Sequence, residues 1–248
     1  MEGIVEGLPG EAPTCPHCGS GLAPRVVTLS GRRIFAGWMA CTCASAQAED
    51  DARDADERAD EARRAAAEDA GRLSSALDRA RIPQRYRDAS DAGVPADAYV
   101  FGPVGVGKTH AACATAVARV RAGGTVRFAT PLDVAARVRS TYHGGAGDED
   151  SVVSDLVGCD LLVLDDLGRE RETAWSLALL WRVVDGRYGR MADTLVTSNY
   201  SRSELASRLA SEGDEVMARA VVSRLAEMTE PVRMDGPDRR LHGDGEVR

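Results

Sequence analysis

One eight-residue run, Gly102-Pro-Val-Gly-Val-Gly107-Lys108-Thr109, constrains the fold of this chain more than any other feature. It fits the pattern G-x-x-x-x-G-K-[ST], a glycine loop that joins a buried strand to the first turn of a helix. The flanks agree: Ala98-Tyr-Val-Phe101 reads as a strand, and residues 110–121 read as a helix. Such a loop turns backbone N–H groups around a phosphate, and the helix N-terminus adds positive potential. Glycine is needed where a side chain would block that approach. The lining residues would be Gly102, Pro103, Val104, Gly105, Val106, Gly107, Lys108, Thr109 and His110. Lys108 would reach the β- and γ-phosphates, and Thr109 would ligate Mg²⁺. Of 31 lysines and arginines only Lys108 is a lysine, and it falls where a flexible point cation is needed.

Beyond the loop, apolar runs and amphipathic segments alternate. Residues 125–129, 160–164, 193–197 and 231–234 read as strands, the second and third buried on both faces. Residues 131–141, 173–188, 203–209 and 216–227 read as helices, the first with Leu132, Val134, Ala135 and Val138 on one face. This alternation predicts an α/β fold with a parallel sheet between helices. Asp165-Asp166 ends the strand Leu161-Leu-Val-Leu164, a Walker B arrangement beside the loop. Asp165 would hold Mg²⁺ through water, and Asp166 would orient the attacking water. An aspartate where many such ATPases carry glutamate predicts slow hydrolysis or a different water position. Asn199, just after the next strand, is placed to sense the γ-phosphate, whereas Ser201 suits a helix cap.

Composition excludes several classes. With 248 residues, 44% hydrophobic and 28% charged, the chain can build a core. It contains no apolar run long enough for a membrane span, and its first residues lack the features of a secretory signal, so a cytoplasmic location is expected. A net charge of −8 excludes a wholly basic protein that coats nucleic acid, and 4% aromatics exclude widespread base stacking.

Cys15-x2-Cys18 and Cys41-x-Cys43 crowd the first 43 residues, a spacing that suits a tetrahedral zinc site better than disulfides. His17, inside the first pair, is a competing ligand. A hairpin is expected between the pairs, giving a small zinc module over residues 1–46. Cys113 and Cys159 lie in apolar stretches and read as core thiols. Residues 47–80 are nearly all Ala, Asp, Glu and Arg, with Asp54–Arg58 and Asp60–Arg64 at i,i+4 spacing, so a solvated helical linker is expected. An ATPase domain over residues 81–248 follows.

Five stretches together resemble the DnaC/DnaI family of bacterial and phage helicase loaders and the related IstB transposition helpers. They are Ile82-Pro-Gln-Arg-Tyr-Arg-Asp88, the glycine loop, Leu164-Asp-Asp-Leu-Gly168, Thr197-Ser-Asn-Tyr200, and Val222-Ser-Arg-Leu225 with residues 232–240. The resemblance implies an AAA+ ATPase that self-associates and binds single-stranded DNA and a replicative DNA helicase. It implies an arginine finger at Arg224, with Arg219 as second candidate, acting on a neighbour's transferred phosphoryl group. It also implies that the zinc module contacts the helicase and that the domain lacks a helical lid. The helix that precedes the first strand in the family is lost or shortened here, leaving an adenine contact from Ile82-Pro83. For DNA, Arg137 and Arg139 could follow phosphates and Tyr142 could stack on a base, although the same residues fit a solvated helix face. The rivals are an IstB-like helper of a transposase, an ATP-binding switch with little hydrolysis, and a small-metabolite kinase. The zinc module argues against the first, and the paired aspartates, Asn199 and Arg224 argue against the last.

Overall fold

Leu161, Leu162, Val163 and Leu164 are each no more than 1% exposed, which requires a strand covered on both faces. The computed structural model describes residues 5–90, 93–142, 148–170, 172–210 and 214–239. The chain divides into two compact units, Met1–Ala70 and Gly71–Arg248. In chain order the elements are β1 (Pro24–Leu29), β2 (Arg32–Trp38), α1 (Ala44–Ala80), a 3₁₀ turn (Gln84–Tyr86), β3 (Ala98–Phe101) and α2 (Lys108–Arg121). Then come β4 (Val126–Ala129), α3 (Pro131–Tyr142), α4 (Glu149–Gly158), β5 (Leu161–Leu167), α5 (Ala174–Tyr188), β6 (Asp193–Ser198), α6 (Arg202–Leu209), α7 (Glu215–Met228) and β7 (Glu230–Arg233).

The first unit holds the expected hairpin, β1 antiparallel to β2, and the exposed part of α1. Arg58 pairs with Asp54 at 4.0 Å, as the spacing predicts, but Asp60 is met by Arg63 rather than Arg64. Both pairs are exposed, so each contributes little.

The second unit is built on a five-stranded parallel sheet in the order β4-β5-β6-β3-β7. Alternate residues of β5 feed two cores. Leu162 and Leu164 pack under helices α3 to α7, while Leu161 and Val163 pack with α2 and with Leu77 and Ala80 at the end of α1. Among the described residues no helix is long and apolar enough to cross a membrane.

The structure departs from the sequence reading in three places. The helix expected as a solvated linker ends in the core, where Leu77 and Ala80 are buried because they face the sheet of the second unit. The acidic stretch at 148–150 opens a helix, α4. Asp148 caps it by accepting the Ser151 N–H at 2.7 Å, and Glu149 and Asp150 face the positive end of the helix dipole. Leu132 is 54% exposed in the first turn of α3, which buries only Val134, Ala135 and Val138. Ser201 caps α6 as expected, reciprocally with Glu204.

Arg187 on α5 is fully buried. Its Nη1 donates to the carbonyls of Leu156, Val157 and Cys159 at 2.8, 3.2 and 3.0 Å, and its Nε donates to Thr194 Oγ1 at 2.8 Å. Nη2 donates to the Asp193 carbonyl. The guanidinium thus closes the C-terminus of α4 and the turn into β5. Removing it leaves several buried carbonyls without donors, so Arg187→Leu should destabilise the second unit by about 3 kcal/mol, read from urea unfolding.

Candidate functional site

The glycine loop bends because Gly105 and Gly107 take φ of 84° and 100°, which a side chain resists. Val106 turns inward at 2% exposure and anchors the loop. Lys108, 6% exposed, folds back over the loop: its Nζ donates to the carbonyls of Gly102 and Pro103 at 2.8 and 2.7 Å and to Asn199 Oδ1 at 2.8 Å. The two residues assigned to the γ-phosphate end are therefore in direct contact, although 91 positions separate them.

The Walker B carboxylates are delivered by a bulge. Leu164 pairs with Val196 and Leu167 with Ser198, so Asp165 and Asp166 together oppose Thr197. Thr197 Oγ1 donates to Asp165 Oδ1 at 2.6 Å and accepts the Asp166 N–H at 2.9 Å. Asp166 takes a left-handed φ of 57°, which aspartate and asparagine tolerate better than most residues. The bulge turns its side chain into the loop cavity, where it pairs with Arg169 at 3.2 Å. Asp165 stays buried, and that burial raises its pKa against the lowering effect of hydrogen bonds from Thr197 and Thr109. Thr109 Oγ1 lies 3.0 Å from Asp165 Oδ1. This hydrogen bond keeps the Thr109 hydroxyl and the carboxylate side by side, so Thr109 could ligate Mg²⁺ while Asp165 holds it through water.

The cavity above the loop has a volume of about 620 Å³. Its walls are Val104, Gly105, Gly107, Lys108, Thr109, His110, Asp166 and Asn199, together with Arg85, Tyr86, Arg169 and Arg239. The last four were not singled out in the sequence for this cavity. Arg85 and Tyr86 belong to the 82–88 stretch and Arg239 to the 232–240 stretch, so the motif marked the segments without saying which side chains face the cavity. Ile82, expected beside adenine, is instead in the core at 1% exposure. Tyr86 packs edge-on against His110, and Arg85 lies over the Tyr86 ring. Cations thus outnumber acids around the cavity, as a polyphosphate ligand requires.

In the first unit the four thiols of Cys15, Cys18, Cys41 and Cys43 lie within 4.8 Å of one another. Cys18 Sγ is 3.5 Å from Cys41 Sγ, and Cys15 Sγ is 3.9 Å from Cys43 Sγ. Zn–S bonds of about 2.3 Å put tetrahedral sulfurs about 3.8 Å apart, so the cluster could hold zinc. Hydrogen bonds from Ser20 lower the Cys18 pKa to about 6. At Cys41 the backbone hydrogen bond of Cys43 is the largest single influence and lowers the pKa, but hydrogen bonds with Cys18 and Cys15 together with desolvation push it up to about 12. His17 stands outside the cluster and pairs with Glu49 on α1 at 2.6 Å.

The other candidates sit elsewhere. Arg224 is stacked over Trp181 at 3.9 Å, and its Nε lies 2.8 Å from Asp185 Oδ1, an ion pair that misses hydrogen-bond geometry. Arg219 pairs with Glu215 one turn back. Arg137 is tied to Asp155 at 2.9 Å, Arg139 lies over Trp175, and the Tyr142 hydroxyl donates to Glu149. Cys113 and Cys159 are core thiols, 0% and 6% exposed. Arg240 lies outside the described residues.

This arrangement defines a P-loop protein with an ATP-type site at the C-terminal ends of the strands of a parallel α/β sheet, the AAA+ architecture that the motif resemblance implies. Residues 94–246 match the model of the IstB-like ATP-binding proteins, and the chain belongs to that family. The replicative helicase loader DnaC of Escherichia coli is 27% identical over 58% of this chain. This chain spans 56% of that relative's length. An ATP-binding protein from an insertion sequence of Mycobacterium tuberculosis is 29% identical over 68% of this chain and 63% of its own. The crystal structure of a DnaC helicase loader aligns with a TM-score of 0.48 at 29% identity, over 60% of this chain and 81% of that one.

Two predictions follow from this geometry. Lys108→Ala removes a buried cation and should weaken ATP binding by about 100-fold, the scale of one or two charge-assisted hydrogen bonds, as measured by calorimetry. Asp166→Asn keeps the left-handed backbone and should bind ATP normally but hydrolyse it about 10²-fold more slowly or worse; turnover at the wild-type rate would remove Asp166 from the water-orienting role.

Proposed function

We propose that this protein is an ATP-dependent loader of a replicative DNA helicase, acting on single-stranded DNA as replication begins. The observation that carries this reading is the pairing, in one chain, of a P-loop site whose Lys108 touches Asn199 with a separate unit bearing four clustered thiols. The ATPase core is common to loaders and transposition helpers. The thiol module favours the loader, as the unit that would bind Zn²⁺ and then the helicase. The similarity to the Escherichia coli loader supports the same choice.

In this mechanism ATP would bind across the loop, with Thr109 ligating Mg²⁺ and Asp165 holding it through water. Asp166 aligns a water for attack on the γ-phosphate, and Asn199 with Lys108 registers whether that phosphate is present. The ion would offset charge on the phosphates, and its positive charge would favour the ionised form of Asp165. With aspartate rather than glutamate at position 166, hydrolysis is slow, as suits a device that holds its ATP state until a partner arrives. Subunits associate through AAA+ interfaces and Arg224 supplies the finger in trans; to do so it must leave Asp185 and Trp181 for the neighbour's phosphate. For DNA, Arg139 and Tyr142 remain the better candidates, because both are exposed whereas Arg137 is half-buried against Asp155. We take residues 1–46 as the helicase-contacting module, the exposed part of 47–80 as a linker whose last turns, with Leu77 and Ala80, join the ATPase core, and 81–248 as the rest of the ATPase domain.

The similarity to the insertion-sequence protein supports a second reading, an ATPase helper of a transposase. Gel filtration with ATP distinguishes them: a loader forms a complex with its organism's replicative helicase, and that complex is lost with Cys18→Ser, which should also lose about one Zn²⁺ per chain by metal assay. A complex with a transposase and none with the helicase would favour the helper. For the finger, Arg224→Ala should lower turnover by about 10³-fold while sparing ATP affinity. Mixing it with Lys108→Ala should restore part of the activity, since one chain then supplies the pocket and the other the finger. No rescue, with both variants folded and assembling, would place the finger elsewhere.

A further inference from the structure

The segment after β7 lies along the glycine loop. β7 pairs with β3 up to Phe101 and Arg233, and the next residue continues the ladder: the Met234 N–H donates to the Phe101 carbonyl at 2.8 Å. Beyond it the chain stays against the loop. A Cβ at Gly102 would lie 1.9 Å from the Met234 carbonyl oxygen, and one at Gly105 would lie 1.9 Å from Asp238 Oδ1. The Arg239 N–H donates to the Gly105 carbonyl at 3.0 Å. The Arg239 side chain then turns into the nucleotide cavity, with Nη1 3.4 Å from where a Cβ of Gly107 would be. Two loop glycines thus make room for this strap as well as for a phosphate.

We infer that Arg239 is a nucleotide-binding residue, held by the strap of residues 234–239 and directed at the α- and β-phosphates. The inference rests on the reading of the cavity as an ATP site and deepens it. The choice of phosphates follows from topology. The glycine-loop amides cradle the α- and β-phosphates, and Arg239 stands beside that part of the loop. Asn199, on Lys108 at the γ end, arrives from β6, which flanks β3 on the side opposite β7. A guanidinium there offers paired donors to phosphate oxygens, which a lysine cannot reproduce. Arg239 would bind ATP and ADP alike, in contrast to Asn199, which would tell them apart.

The test is titration of the full chain with fluorescent methylanthraniloyl-ATP and -ADP, using wild type, Arg239→Ala and Arg239→Lys. Arg239→Ala should weaken both nucleotides by a similar factor of about 10 or more, with Arg239→Lys in between. The melting temperature without nucleotide should not change, because the backbone bond to Gly105 survives both substitutions. Loss for ATP alone would overturn the placement on the shared phosphates. A fall in melting temperature of the nucleotide-free protein that accounts for the loss would make Arg239 structural and overturn the inference. Unchanged affinities beside a wild type that binds both nucleotides would overturn this inference alone. A wild type that binds neither would overturn the ATP-site reading with it.

Discussion

A single buried ammonium organises the second unit's working end. Lys108 Nζ is held by two loop carbonyls and by Asn199, with the buried carboxylate of Asp165 close enough to act on it electrostatically. A charge at 6% exposure is costly unless its donors are matched, and three acceptors at hydrogen-bond distance match them. The same acceptors are weaker partners than phosphate oxygens. On the proposed reading the lysine is stored in the loop in a state that a polyphosphate would displace, and its move would release Asn199. In this account, nucleotide sensing begins with that exchange of partners.

Around that centre the sheet sets every distance. β6 supplies Thr197 to the Walker B bulge and then Asn199 to Lys108, so one strand end touches both Asp165 and Lys108. The bulge resolves a geometric conflict. Consecutive residues of a regular strand face opposite ways, which would send one of Asp165 and Asp166 away from the site. With Thr197 opposing both, Asp165 faces Thr109 and Asp166 faces the cavity. The left-handed backbone at Asp166 is the local strain that this arrangement requires, and such strain gathers where function overrides regular pairing.

Much of this was legible in the sequence because it depends on short-range pattern. Continuous apolar runs announced β5 and β6, and the glycine loop fixed β3 and α2 on either side. What was not legible depends on partners distant in the chain. The bulge exists only relative to Thr197 on a neighbouring strand. Arg85, Tyr86 and Arg239 reach the cavity because separate segments converge on it. The motif marked the stretches that hold Arg224 and Arg239, but nothing in the sequence says that Arg239 faces the cavity, Arg187 the core and Arg224 the Trp181 ring. α4 escaped notice because its first turn is acidic, although acids there are what a helix N-terminus favours.

The lysine count allows a direct test of the central claim. Protein labelled with ¹⁵N-lysine carries one side-chain ammonium, that of Lys108, and NMR can follow it without assignment. The account predicts one protected Nζ signal that moves on adding ATP with Mg²⁺, saturates at one nucleotide per chain, and takes a different position with ADP because the γ-phosphate is gone. A signal that stays in place at saturating ATP would contradict the account, since the loop would then bind nucleotide, if at all, without its lysine.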